Sequence, residues 1–207
     1  TEPQKVAIPR ILNGEHLLLC SPTGSGKTLT AFLTIIDDLV RRSLDGSLPD
    51  AVQCVYISPI KALANDIEKN LLGPLGEIKE RYLPSRAKEI KVGLRTGDTP
   101  QSEREKMLRK PPHILITTPE SMGLGLASKR FRPILDQMKW FIIDEMHSLV
   151  PTKRGTHLSL SMALMDSVVS SDVQRIGISA TMEPLDAVAE FLVCLLYTSP
   201  SPRDKTV

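Results

Sequence analysis

Short apolar runs alternate along the chain with longer stretches in which apolar residues recur every three or four positions. The runs predict strands over 16–20, 53–57, 91–94, 113–117, 139–144 and 174–179. Trp140-Phe141-Ile142-Ile143 is apolar at successive positions, as a strand covered on both faces of a parallel sheet must be. Between the runs, Leu29, Phe32, Leu33, Ile36 and Val40 fall on one side of a helix, as do Leu158, Met162, Met165 and Val169. The stretches 63–71 and 185–192 fit a helix less fully. Residues 46–50 and the Gly73-Pro74 pair are expected as loops, and no internal repeat is present. Strands alternating with helices predict a three-layer α/β domain with a mainly parallel central sheet, whose ligands bind beyond the carboxyl ends of the strands.

Composition narrows this only a little. In 207 residues, 41% are hydrophobic and 24% charged, enough for a core built on aliphatic side chains because aromatics make up only 4%. No apolar run approaches the ~18–20 residues of a membrane span, so no membrane partner is expected. The net charge of +2 argues neither for nor against nucleic acid, since a groove can be basic on a neutral domain. Cys20, Cys54 and Cys194 are too widely spaced for a metal motif and suggest a reducing, cytoplasmic setting. The chain begins at Thr1 without Met and enters patterned sequence at once, as a piece of a longer protein would. From about Cys194 the pattern breaks into a Ser/Pro-rich string similar to the in-frame translation of a sequencing adapter; a flexible linker is the other reading. We therefore expect a domain over 1–193, truncated at both ends, and a non-native or disordered tail over 194–207.

The chemistry begins directly after the first predicted strand. Ser21-Pro22-Thr23-Gly24-Ser25-Gly26-Lys27-Thr28 fits the phosphate-binding pattern G-x-x-x-x-G-K-[ST] except that Ser21 stands at the first glycine. Glycines at 24 and 26 let the backbone turn successive N–H groups of Thr23, Gly24, Ser25 and Gly26 toward an anion, and the following helix points its positive end at the same place. Lys27 is expected to reach the β- and γ-phosphates of ATP and Thr28 to ligate Mg²⁺. Asp144-Glu145-Met146-His147, at the end of the strand 139–144, supplies the carboxylates that such a loop requires. Asp144 is expected to hold Mg²⁺ and Glu145 to orient and deprotonate the attacking water. Alone, the acidic pair would pass for a solvated turn, and His147 for a surface or core histidine.

Taken together, these motifs resemble the first RecA-like, ATP-binding domain of superfamily 2 helicases, and most nearly the large helicase-related (Lhr-type) branch. The resemblance runs from about Thr1 to Leu192. It implies that Gln4 reads the adenine edge, as the glutamine of a Q motif does. It implies that His147, Ser179 and Thr181 couple hydrolysis to movement, with Ser179-Ala180-Thr181 as the third motif. Ser58-Pro59-Ile60-Lys61, Arg95-Thr96-Gly97-Asp98-Thr99 and Thr117-Thr118-Pro119-Glu120 are similar to the family's loops that hold the backbone of a single strand. Pro59, Lys61, Arg95, Thr96, Gly97, Thr118 and Pro119 are the candidates there, and loops rich in hydroxyls and N–H groups suit phosphate gripping. Arg154, in a segment that also resembles the Lhr branch, is expected either to touch nucleic acid or to be a solvated charge.

The implied function is ATP-driven helicase or translocase action on DNA or RNA–DNA duplexes. Its expected partners are single-stranded DNA or RNA, duplex junctions and a second RecA-like domain that supplies an arginine finger. Three rivals stay open: a DEAD/DEAH-type RNA helicase domain, a motor subunit of a restriction or defence complex, and an ATP-binding module without unwinding activity.

Overall fold

The computed structural model describes residues 1–193 except Thr23, 60–66, 68–70, 85–86, Ser171 and Met182, with only the backbone of Glu2. Six strands form one sheet: β1 (Leu17–Cys20), β2 (Cys54–Ile57), β3 (Val92–Arg95), β4 (Ile114–Thr117), β5 (Trp140–Ile143) and β6 (Gln174–Ser179). Their order is β1-β6-β5-β2-β4-β3, and every pairing is parallel. The register keeps the carboxyl ends level, with Cys20 opposite Ser179, and Ile57 opposite both Ile143 and Thr117.

Side-chain alternation divides the sheet into two cores. Tyr56, Ile116, Ile142 and Ile178 point to one face, where Phe32, Ile35, Ile36 and Leu39 of helix α2 (Lys27–Asp45) meet them. Val55, Leu115, Phe141 and Ile143 point to the other. Complete burial of such side chains contributes ~1.5–3 kcal/mol each, so both faces are anchored. Helix α1 (Glu2–Leu12) packs beside α2 on the first face.

Several helices carry no strong apolar period and were not expected. Residues Gly73–Tyr82 form helix α3, whereas Gly73-Pro74 reads as a loop; proline is tolerated there because it stands in the first turn, where its missing N–H has no helical acceptor. Helix α4 (Gln101–Arg109) buries none of its residues, so it has no stripe to detect. Helix α5 (Pro119–Ala127) is interrupted in pattern by Gly123 and Gly125, and α6 (Met146–Leu149) is a single turn. Helices α7 (Lys153–Val168) and α8 (Leu185–Val193) match their expected stripes. The expected helix over 63–71 lies largely outside the described residues, and so does the tail from 194. Among the described residues no helix is long and apolar enough to cross a membrane.

Glycine lets backbone and side chains approach at two joints of the second face. A Cβ at Gly123 would overlap the imidazole of His157, and one at Gly155 would overlap the Leu149 carbonyl. Helices α5 and α7 are in extensive contact. Gly155→Ala is therefore expected to destabilise the domain by about 1–3 kcal/mol, as overpacking does. Gly76→Ala, with nothing near its added carbon, should instead stabilise it by roughly 0.5–1 kcal/mol through helix propensity. Urea unfolding curves of the two variants check the opposite signs.

Candidate nucleotide site and strand-facing loops

The loop after β1 enters α2 through two residues in the left-handed region, Gly24 (φ 82°) and Gly26 (φ 87°), which side chains larger than hydrogen disfavour. Ser21, the departure from the glycine pattern, has its hydroxyl 2.5 Å from that of Ser25, which closes the loop on itself. The Lys27 ammonium is buried (8% exposed) and donates to the carbonyls of Ser21 and, at 2.8 Å, Pro22. Two loop carbonyls thus hold a cation at the mouth of the helix. The Thr30 hydroxyl donates to the Gly26 carbonyl at 2.7 Å and ties down the first turn beside Thr28. Thr23 lies outside the described residues.

Asp144 follows β5 and is 7% exposed. One of its oxygens accepts from the Tyr56 hydroxyl and the other from the Glu145 amide at 2.8 Å. Tyr56, fully buried on β2, was not anticipated; it reads as one more apolar-strand aromatic, and nothing in its spacing says that its hydroxyl meets an acid. Glu145 has φ 51° and ψ 41°, a conformation that costs a non-glycine residue on the order of 1–3 kcal/mol and that clusters at functional sites.

His147 sits between the acid and the third motif. Its Nδ1 accepts from the Ala180 amide at 3.2 Å, while its Nε2 lies 3.1 Å from a Glu145 carboxylate oxygen. An acceptor at Nδ1 requires the proton on Nε2, so the neutral ring donates to Glu145. Ser179 is buried at the end of β6, where its carbonyl accepts from the Ser21 amide at 3.4 Å, and Thr181 is exposed. The structure therefore brings Lys27, Asp144, Glu145, His147 and Ser179 to the ends of three adjacent strands, β1, β6 and β5.

The strand-facing candidates follow the other three strands, β2, β4 and β3. Thr96 and Gly97 lie in a tight loop in which the Thr96 amide donates to the Thr99 hydroxyl at 2.8 Å. Arg104 braces that loop, donating to the carbonyls of Thr99, Thr96 and Gly97 at 2.8, 3.1 and 2.9 Å. Sequence reasoning passed over Arg104 because it stands in a helix full of charges. The Thr118 hydroxyl caps α5 by accepting from the Ser121 amide at 3.3 Å.

Three of the candidates are buried. Arg95 is buried (9% exposed), its guanidinium 4.3 Å from the centre of the Phe131 ring, and burial lowers its pKa. Pro119 is buried in the first turn of α5, where its fixed φ suits the helix start. Pro59 is buried too, and its carbonyl accepts from Arg154 at 2.8 Å. Lys61 lies outside the described residues. Gln4 is in the first turn of α1, its side-chain oxygen accepting from the Thr1 amino group at 2.8 Å. A groove between α1 and β1, lined by Pro3, Val6, Ala7, Arg10 and Cys20, opens on Lys27.

The family model for the DEAD/DEAH box helicase matches residues 1–189. The chain belongs to this helicase family. It is 52% identical over 200 residues to the ATP-dependent helicase Lhr-Core of Methanothermobacter thermautotrophicus, covering 96% of the chain and 23% of that relative. It is 46% identical over 184 residues to the Lhr helicase/uracil glycosylase of Escherichia coli, covering 86% of the chain and 12% of the relative. Among solved structures, the Mycobacterium smegmatis helicase Lhr bound to ssDNA and AMP-PNP superposes with a TM-score of 0.79 at 44% identity, over 92% of this chain and 24% of that one. The DEAD-box helicase Mss116, solved with ssRNA and UDP-BeF, shares the fold (TM-score 0.75) at 21% identity. The chain spans about a quarter or less of the length of these Lhr relatives. The fold of this helicase domain is thus the RecA-like α/β fold.

Tyr56→Phe keeps the ring and deletes the donor to the buried helicase-box aspartate. A hydrogen bond to a charged group is worth about 1.5–3 kcal/mol, so the urea unfolding free energy is expected to fall by that order. Tyr82→Phe, at a ring that is 68% exposed, should change it by less than about 0.5 kcal/mol.

Proposed function

We propose that residues 1–193 are the half of an ATPase motor that binds ATP·Mg²⁺ and carries the hydrolytic base. The whole protein would use that motor to translocate on and unwind nucleic acid as an Lhr-type helicase. The observation that carries this reading is the bridge from Glu145 through His147 to Ala180. It ties the group placed to activate water to the segment expected to transmit the result.

The residues present suit the nucleotide and its metal. The helix start at Lys27, the two left-handed glycines and the buried ammonium make an anion cradle. Mg²⁺ keeps several waters and takes one or two protein oxygens plus phosphate, a demand that one hydroxyl and one carboxylate can meet. Thr28 and Asp144 are the residues that would hold it, and the ion would supply charge neutralisation on the phosphoryl oxygens. Glu145 would take the proton of the attacking water, while His147, donating to the same carboxylate, fixes its direction. The apolar groove between α1 and β1 is placed to lodge the base, with Gln4 at its helix to read the adenine edge.

Thr96, Gly97 and Thr118 would offer hydroxyl and amide donors to a strand's phosphates, and Lys61 is a further candidate from the sequence. Single-stranded DNA is the favoured partner, because the Lhr relative at 44% identity was solved with it. A second RecA-like domain would complete the site with an arginine finger, an element worth ~10³–10⁵ in rate in related NTPases. Cys20 and Cys54 are free thiols, which suits a reducing, cytoplasmic setting.

In the complete protein, Glu145→Gln is expected to retain ATP binding and lower turnover by about 10²–10⁴, the usual contribution of a general base. Lys27→Ala should weaken both binding and turnover. Phosphate release and fluorescent-nucleotide titration measure the two effects. Unchanged turnover in either variant overturns the assignment.

A further inference from the structure

Beyond its own loop, the Arg154 side chain touches both the loop after β2 and the loop after β4. It stands in the first turn of α7, which follows the Asp-Glu-x-His turn by way of α6. Its Nε and Nη2 donate to the two carboxylate oxygens of Glu120 at 2.5 and 3.1 Å. Its Nη1 donates to the Pro59 carbonyl at 2.8 Å. One planar guanidinium thus joins the loop after β2, the loop after β4 and the segment that leaves the acidic turn after β5.

We propose that Arg154 is a positioning residue that couples the nucleotide half of the domain to the strand-facing half, by holding the 58–59 and 118–120 loops in register with the acidic turn. The proposal rests on the motor reading above and adds to it the joint through which the two halves communicate.

Two observations favour this over a surface charge or a direct phosphate contact. A cation in the first turn of α7 sits at the positive end of that helix, an unfavourable place for it. Glu120 in the first turn of α5 offsets that, and all three nitrogens of the fork are directed to Glu120 and Pro59 rather than outward. Next, α5 and α7 approach closely over Gly123 and His157, so the two helices form one body. The guanidinium ties that body to the loop at the end of β2. The Arg154 guanidinium also holds the Glu120 carboxyl down to about 2 from 4.5. Whatever stability the pair gives is present above pH 4.5 and is lost as pH falls toward 2, well below any assay condition.

The pair is half exposed, 42% for Arg154 and 50% for Glu120, and such pairs contribute little to stability. A coupling role therefore separates cleanly from a structural one. The test uses the complete protein, with ATP turnover and its stimulation by a single-stranded DNA oligonucleotide, and strand affinity with and without a non-hydrolysable ATP analogue. Arg154→Lys keeps the charge but loses the fork, and Glu120→Gln loosens it from the other side. Arg130→Ala, which breaks an equally bidentate pair with Glu105 away from the joint, is the control.

The expected result is unchanged ATP KM and unstimulated turnover in both test variants. The effect of the ATP analogue on strand affinity should shrink by about tenfold, within the ~5–150-fold range of ordinary allosteric coupling, and Arg130→Ala should retain it. Full stimulation and coupling in Arg154→Lys overturns the proposal. So does tighter strand binding in Glu120→Gln, the mark of an arginine that touches phosphate directly. A fall in urea midpoint in Arg154→Lys, absent from Arg130→Ala and large enough to account for the loss, shows a structural role and also overturns it. A wild type that hydrolyses ATP without responding to any single strand overturns both the joint and the motor reading. Loss of the joint with stimulation intact in the wild type leaves the motor reading standing.

Discussion

Parallel pairing is the constraint from which the rest of this domain follows. Because every strand runs the same way, all six carboxyl ends open on one edge, and the chain must return through a covering segment to start each next strand. Loops that are distant in sequence therefore become neighbours in an order set by the sheet. With β6 inserted between β1 and β5, the phosphate loop, the third motif and the acidic turn stand side by side. With β2, β4 and β3 on the far side, the loops proposed to face a strand form a second group. The division of labour is a consequence of strand order, and β5 next to β2 is where the two groups meet.

Buried polar groups at such an edge need partners. The structure supplies them by using buried groups in pairs. Asp144 is satisfied by Tyr56 from the neighbouring strand and by the next amide. Lys27 is satisfied by two loop carbonyls, and Arg95 by the face of Phe131. An unpaired charge in any of these places would be costly. Glu145 is the exception in kind, since its backbone rather than its charge carries the cost. The left-handed turn aims its side chain at His147, and the imidazole's tautomer is then dictated by the Ala180 amide.

The strands and both long helices were legible because burial writes itself as period two or period three to four. Trp140 to Ile143 shows the limit of that signal: its two-faced apolar run identifies a central strand but not its neighbours. The phosphate loop and the acidic turn were legible because glycine, lysine and paired carboxylates at those spacings have few other uses. Helix α4 was not, since charged pairs rather than a buried stripe hold it, and α3 was misread because proline in a first turn looks like proline in a loop. Arg95 illustrates a harder limit. A basic residue at a strand end reads as a phosphate contact, and only the aromatic ring of Phe131, far along the chain, turns it inward. Tyr56, Arg104 and Arg154 share this property, for each acts through a partner that spacing cannot reveal.

That difference bears on how such a domain transmits force. A motor domain that only bound ATP could leave its loops independent, each shaped by its own strand and helix. Here the loops proposed to face a strand are braced from inside by arginines, Arg104 against the carbonyls of Thr96, Gly97 and Thr99 and Arg154 against Glu120 and Pro59. Arginine suits this work because its donors lie in one plane and can satisfy several carbonyls or both oxygens of a carboxylate at once. The Arg154–Glu120 pair is exposed enough to contribute little to stability, yet it would remove freedom from segments proposed to move together. Under the proposed coupling, rigid loops joined at the β5–β2 boundary would let a change at Glu145 reach the far side of the sheet without the sheet itself deforming. The two close-packed cores beneath it, filled on both faces, resist such deformation.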